Sequence, residues 1–214
     1  MPDAIHIDYL FDPLCGWCYG AAATLEALAA RPDFDIQLVP TGLFAGAGAR
    51  PMDQGFADYA WSNDQRIARL TGQPFSEAYR RDVLGERTRL FDSGPATLAI
   101  VAVALIAPDR AFEVLKAIQG ARYVDGRDIT DMAVLAQILR ALDMPGIADR
   151  LAVPDDALLA AYRTRIEAAR LEMRRLGAEG VPALIVGSGT SRRLLRANAL
   201  FGSTDVLVAG LQAA

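Results

Sequence analysis

The hydrophobic period along the chain changes twice. Ile5, Ile7, Tyr9 and Phe11 alternate with His6, Asp8 and Leu10, the two-residue repeat of a β-strand. Pro13 ends the pattern, because proline has no N–H to give a strand ladder. The stretch "CGWCYGAAATLEALAA" follows. Its alanines and leucines predict a helix from Cys15 to about Ala30. Pro32 and Asp33 break that helix, and "FDIQLVP", 34–40, predicts a second strand. Strand, helix and strand in this order suggest a parallel unit with a helical crossover. Residues 42–53, "GLFAGAGARPMD", are glycine-rich, match no phosphate-cradling fingerprint and read as a loop.

From about 54 to 177 the period is helical. "SGPATLAIVAVALIAP" predicts a fully buried helix with Ser93 as its cap and Pro95 in its first turn. "DRAFEVLKAIQGARY" and "DITDMAVLAQILRAL" predict two more. A long helix is expected from near Pro154, with Asp155 and Asp156 in its first turn. Its apolar face is Leu159, Tyr162, Ile166, Ala169, Met173 and Leu176, and Gly177 stops it. The strand period then returns in "VPALIVG", 181–187. "SGTS" reads as a turn, "RRLLRA" as a partner strand and "STDVLVAGLQAA" as a final helix capped by Ser203.

Composition narrows the function classes. The chain has 214 residues, 52% hydrophobic and 22% charged, with a formal net charge of -4, as expected of a globular protein with a sizeable core. No basic stripe is present, which weighs against nucleic acid as a partner. The longest apolar run, 96–107, is too short for a bilayer, which takes about 20 residues. The first residues lack the positive start and unbroken apolar stretch of a secretory signal, so the expected compartment is the cytoplasm.

Candidate chemistry rests on Cys15 and Cys18, the only cysteines, in "DPLCGWCYG". Cytosolic thiols are kept reduced, so a structural disulfide is a poor default there. Cys15 falls where strand passes into helix, and the amide groups opening a helix favour a thiolate. Cys18 is three residues on, on the same helical face and close enough to resolve a mixed disulfide. Between them, Trp17 brings no charge and Gly16 leaves the turn pliable. Other readings compete. Zinc wants four ligands, and only His6 remains as a nitrogen donor. Two inert buried thiols would carry no chemistry. A Cys-His hydrolase needs a nearby base, whereas His6 lies within the first strand, away from the Tyr9 side.

The element order, the cysteine pair, "EGVPALIV" and "YVDGRDITD" together resemble the DsbA-like form of the thioredoxin fold, over nearly the whole chain. The resemblance implies an α/β thioredoxin-like domain, residues 1–50 and 178–214, split between its βαβ and ββα halves by an all-helical domain, 51–177. It also implies a cis peptide at Val181–Pro182 facing the cysteines, with Val181 free to pair with an extended substrate. Read alone, Pro182 could equally just start a strand. Two features depart from the pattern. The periplasmic oxidases carry proline and histidine where Gly16 and Trp17 stand. Many thioredoxin-like proteins place a buried carboxylate where Tyr9 stands, and neither Asp8 nor Asp12 matches that position, which leaves water to handle the Cys18 proton. The nearest likeness is to the cytoplasmic branch of candidate disulfide isomerases and FrnE-like proteins.

The expected function is therefore thiol-disulfide exchange on protein or small-molecule thiols and disulfides, as a reductase or isomerase. No metal or tightly bound cofactor is expected, and glutathione is a candidate co-substrate. The same fold resembles kappa-class glutathione transferases and hydroxychromene-carboxylate isomerases, where serine commonly replaces Cys15 and a resolving Cys18 is unneeded. A chaperone-like binding module is a third reading. The sequence does not indicate an oligomeric state.

Overall fold

The computed structural model describes residues 4–212. Strand β1 (Ile5–Phe11) leads through a turn into helices α1 (Gly16–Gly20) and α2 (Ala22–Ala29), then β2 (Phe34–Pro40). The single helix expected from 15 to 30 is thus two. They meet at Ala21, whose ψ of -7° is well off the helical value. β1 and β2 pair in parallel, with Ile7 beside Ile36 and Tyr9 beside Leu38.

The chain then leaves the sheet. A two-residue ribbon joins β3 (Arg50–Pro51) to β4 (Leu90–Phe91), inside segments read from the sequence as loop and helix. α3 (Gln54–Thr71) and a π-helical turn, Tyr79–Leu84, lie between these strands. α4 (Gly94–Ile106), α5 (Ala111–Tyr123), α6 (Met132–Ala141), α7 (Pro145–Ala152) and α8 (Asp156–Leu176) follow. α4 is buried through Val103, but Leu105 and Ile106 emerge. α8 starts on its Asp155 cap and ends at Gly177, whose φ of 71° is the left-handed conformation that glycine accepts without strain.

β5 (Ala183–Val186) returns antiparallel to β1, and β6 (Arg193–Leu195) pairs with β5, giving the order β2-β1-β5-β6. α9 (Thr204–Gln212) completes the described chain. A four-stranded sheet therefore takes its strands from both ends of the chain, with a mainly helical stretch between.

β1 is an inner strand, and both its faces are covered. Ile7, Tyr9 and Phe11 join the main core under α1 and α2. Leu10 packs with Met173 of α8, Ala183 and Ile185. The "polar" phase of the alternation is thus buried too, with Asp8 tied to Arg192 and to His6. α8 also holds the loop after β2, for Arg170 donates to the carbonyls of Thr41, Gly42 and Ala45.

Candidate active site

The site begins at the end of β1, in the turn through Asp12 and Pro13. Asp12 is fully buried. Its Oδ1 accepts from the Leu14 amide at 2.9 Å, and its Oδ2 from the Phe44 amide at 3.1 Å and the Ser93 hydroxyl at 2.6 Å. One carboxylate thus ties the turn to the β2 loop and to the start of α4. The expected cap role of Ser93 is corrected here. Ser93 holds the N-cap position but makes no side-chain cap bond, because its hydroxyl is taken by Asp12. Burial pushes the Asp12 carboxyl above its ordinary range, opposed first by the Ser93 bond.

Cys15 is the N-cap of α1, with its amide bonded to the Asp12 carbonyl at 3.1 Å. It keeps 8% of its surface exposed and Cys18 keeps 1%. The Cys15 thiol donates to the Val181 carbonyl at 3.6 Å, and the Val181–Pro182 peptide is cis. Burial, and then the hydrogen bond with Cys15, push the Cys18 thiol well above its usual value, and the nearby Asp12 charge adds to this. Six residues before Cys15 stands Tyr9, and the buried carboxylate of the turn, Asp12, stands three before it. At the former position the Tyr9 hydroxyl donates to the Cys18 carbonyl at 3.2 Å. Trp17 is half-buried, edge-on to Phe201 at 5.0 Å, with the Arg66 guanidinium 5.6 Å from its ring.

A cleft of about 340 Å³ opens beside Cys15. Trp17 and Val181 form one side, and Phe56, Tyr59 and Asp64 of α3 another. Beneath it lies a buried cluster. The Tyr79 hydroxyl donates to Asp64 Oδ2 at 2.9 Å, and the Tyr123 hydroxyl to the Leu14 carbonyl at 2.8 Å. The Arg122 guanidinium, 1% exposed, lies over the rings of Tyr79, Phe91 and Tyr123 at 5.3, 5.4 and 5.6 Å. Burial raises the Asp64 carboxyl to about 7, although Tyr79 and Arg122 both favour its ionised form. Both tyrosines are pushed up by the same burial.

His6 is far from this chemistry in role. Its ring nitrogens bond to Asp35 and Asp8 at 2.9 and 3.0 Å, and the Asp35 bond leads in raising its pKa. Among the described residues no group of three or more His, Cys, Asp or Glu side chains is arranged to hold a metal ion. No described helix is long and apolar enough to cross a membrane.

The profile of the DsbA-like thioredoxin domain matches residues 6–208. The chain belongs to the DsbA-like thioredoxin family. Among solved structures, the cytosolic disulfide reductase DsbM from Pseudomonas aeruginosa is 32% identical with a TM-score of 0.84, the match covering 97% of each chain. The same protein with GSH matches at a TM-score of 0.82, covering 97% of this chain and 98% of that one. A candidate protein disulfide isomerase from Nitrosomonas europaea is 25% identical, with a TM-score of 0.79 and 98% of each chain covered. A search of curated sequences finds no significant match. The chain is thus a DsbA-like thiol-disulfide oxidoreductase.

Within this DsbA-like frame the structure brings Cys15, Gly16, Trp17, Cys18, Val181 and Pro182 to one place. Sequence reading missed Asp64, Tyr79, Arg122 and Tyr123. Asp64 comes from α3, Tyr79 from the π-helical turn and the adjacent Arg122 and Tyr123 from the end of α5, and no linear spacing links the three segments. "YVDGRDITD" was the nearest signal. Its Tyr123 is a member of the cluster, and Gly126, at φ 68°, lies so close to the Ala78 backbone that a Cβ would stand 2.7 Å from it.

Proposed function

We propose that the chain reduces or isomerises disulfides through Cys15 and Cys18, with glutathione as a co-substrate, in the cytoplasm. Residues 1–50 and 178–214 would act as the thioredoxin-like domain and 51–177 as the inserted helical domain. The reading is carried by one observation. The Cys15 thiol reaches the cleft against the Val181 carbonyl, and the Cys18 thiol lies behind it within hydrogen-bonding reach.

In this reading the Cys15 thiolate attacks a substrate disulfide, forming a mixed disulfide and releasing one substrate thiolate, which takes up a proton. Cys18 then loses its proton and attacks the Cys15 sulfur. A Cys15–Cys18 disulfide forms and the second substrate thiol leaves. Glutathione reduces the pair for the next cycle, and in isomerisation the attack of Cys15 is reversed on another sulfur. Val181 offers backbone groups to an extended substrate beside the sulfur. Small or extended substrates suit a cleft in which Cys15 is mostly covered. Glutathione is supported by the GSH-bound structure of the Pseudomonas protein, and the cytoplasm by that protein's cytosolic setting.

The test pairs two substitutions. Cys18→Ser should accumulate a mixed disulfide with glutathione, and Cys15→Ser should not. Insulin reduction should vanish in Cys15→Ser. Equilibration with glutathione should place the potential roughly between -270 and -150 mV, bracketed by thioredoxin and stronger oxidants. Equal trapping in both variants would refute the assignment of Cys15 as nucleophile.

A further inference from the structure

Asp64 stands against the redox dipeptide from the opposite side of the cleft. A Cβ built on Gly16 would lie 2.3 Å from its Oδ1, so this carboxyl oxygen rests on the backbone next to Cys15. Its other oxygen is held by the Tyr79 hydroxyl. Asp64 and Cys15 line the same cleft, yet Asp64 has no ion-pair partner among the described residues. A buried carboxylate without a direct cation is costly unless something else compensates it.

Arg122 supplies the compensation at one remove. Its guanidinium lies over the ring of Tyr79, whose hydroxyl donates to Asp64, and its Nε and Nη2 have no hydrogen-bond partner among the described residues. The charged or titratable groups around Asp64 are Tyr79 from the π-helical turn and Arg122 and Tyr123 from α5, with Cys15, Arg50 and Tyr59 lining the same cleft. With Arg122 always protonated, the cluster beneath Cys15 carries one positive charge when Asp64 is neutral and none when Asp64 is ionised.

We propose that Asp64 is a positioning residue for the exchange reaction, its charge setting how readily Cys15 becomes a thiolate as pH changes. A neutral Asp64 leaves the Arg122 field uncancelled and favours the sulfur anion. An ionised Asp64 cancels that field and opposes a second negative charge beside it. The Asp64 carboxyl titrates at about 7, so the change falls near neutrality. A purely structural role, accepting from Tyr79, would be met equally by asparagine.

This inference rests on Cys15 as the reactive sulfur, and its test does not need catalysis. The rate of Cys15 alkylation by iodoacetamide is measured against pH in wild type, Asp64→Asn and Tyr79→Phe, with Cys18 as serine throughout. Wild type should give a rise spread more widely than a single ionisation. Asp64→Asn should narrow the rise and move it to lower pH by about one unit, the size of a nearby like-charge effect. Tyr79→Phe removes a donor to the ionised carboxylate and so keeps Asp64 neutral to higher pH, and should move the rise to lower pH, part of the way to the Asp64→Asn profile. Superimposable profiles for wild type and Asp64→Asn, with matching circular dichroism, would overturn the proposal. Should Asp64→Asn fail to fold, a single-step wild-type profile unchanged in Tyr79→Phe would do so. Disulfide exchange by the wild type is measured alongside. Its absence would count against the proposed function while the alkylation profiles still decide the role of Asp64.

Discussion

At Gly16 a side chain has nowhere to go. Its Cβ would stand 2.3 Å from Asp64 Oδ1 and 3.2 Å from the Ile67 side chain. The sequence explained Gly16 by pliability, whereas the structure adds contact with α3. Gly16→Ala should cost about 1–3 kcal/mol, as overpacking does, read as a lower denaturant midpoint at unchanged slope. Truncating the obstacle in Gly16→Ala/Asp64→Ala should recover part of that loss, a coupling a double-mutant cycle measures. Ser93 makes a second case. Its hydroxyl serves a fully buried carboxylate, so Ser93→Ala should cost roughly 1–3 kcal/mol for a weakened buried network. A mere capping residue without a side-chain cap bond would cost little. Cys15, Cys18 and Pro182 were readable because their chemistry lies in short motifs. Asp12 was visible, but its burial in the turn was not, since that depends on the β2 loop and α4 closing over it. Asp64 and Arg122 were hidden, because burial of a charge is decided by tertiary packing.

Helices with strong caps and one apolar stripe were the easiest to foresee. α8 has both and starts where expected, with Asp156 in its first turn, although Asp155 is its cap rather than a first-turn residue. The Asp155 side chain accepts from the Leu158 amide at 2.7 Å and pairs with Arg150, which holds its carboxyl down at about 2. Asp155→Ala should lower the melting temperature at neutral pH through loss of the cap. A depressed carboxyl contributes its stability above its unfolded value and loses it as pH falls through about 2. The penalty in this variant should therefore shrink in strong acid. The elements not foreseen are short. β3 and β4 span two residues each, too few to show a period, and pair only because the chain brings them together. α7 carries Pro145 at its start, a signal for a first helical turn that the reading of this region left unused.

Across the molecule, titratable groups act on stability in one direction near neutrality. Asp64 titrates at about 7 in the fold against an ordinary value of 3.8. Between about pH 4 and 7 the folded chain holds a proton that the unfolded chain has lost, so stability falls as pH rises through that window. The His6 pKa is raised as well. Its contribution is complete below its unfolded value and is lost as pH climbs through the folded one. Urea unfolding from pH 4 to 8 should thus show declining stability, by an amount on the order of a few kcal/mol for Asp64. Asp64→Asn should flatten the acid side and leave the His6 part near neutrality. The thioredoxin-like order of elements was recoverable from the sequence because period and breakers mark it. The cleft was not, since its walls come from residues 15–17, 56–64 and 181, which meet only in three dimensions.

Cys18, almost sealed beneath Cys15, also bears on damage. A peroxide entering the cleft meets Cys15 first and leaves it as a sulfenic acid. The neighbouring thiol can condense with that group, expelling water and closing a disulfide that thiol reductants reopen. Overoxidation is thereby diverted into the working cycle. Under peroxide, mass spectrometry should find the irreversible sulfinic form on Cys15 chiefly when Cys18 has been replaced by serine.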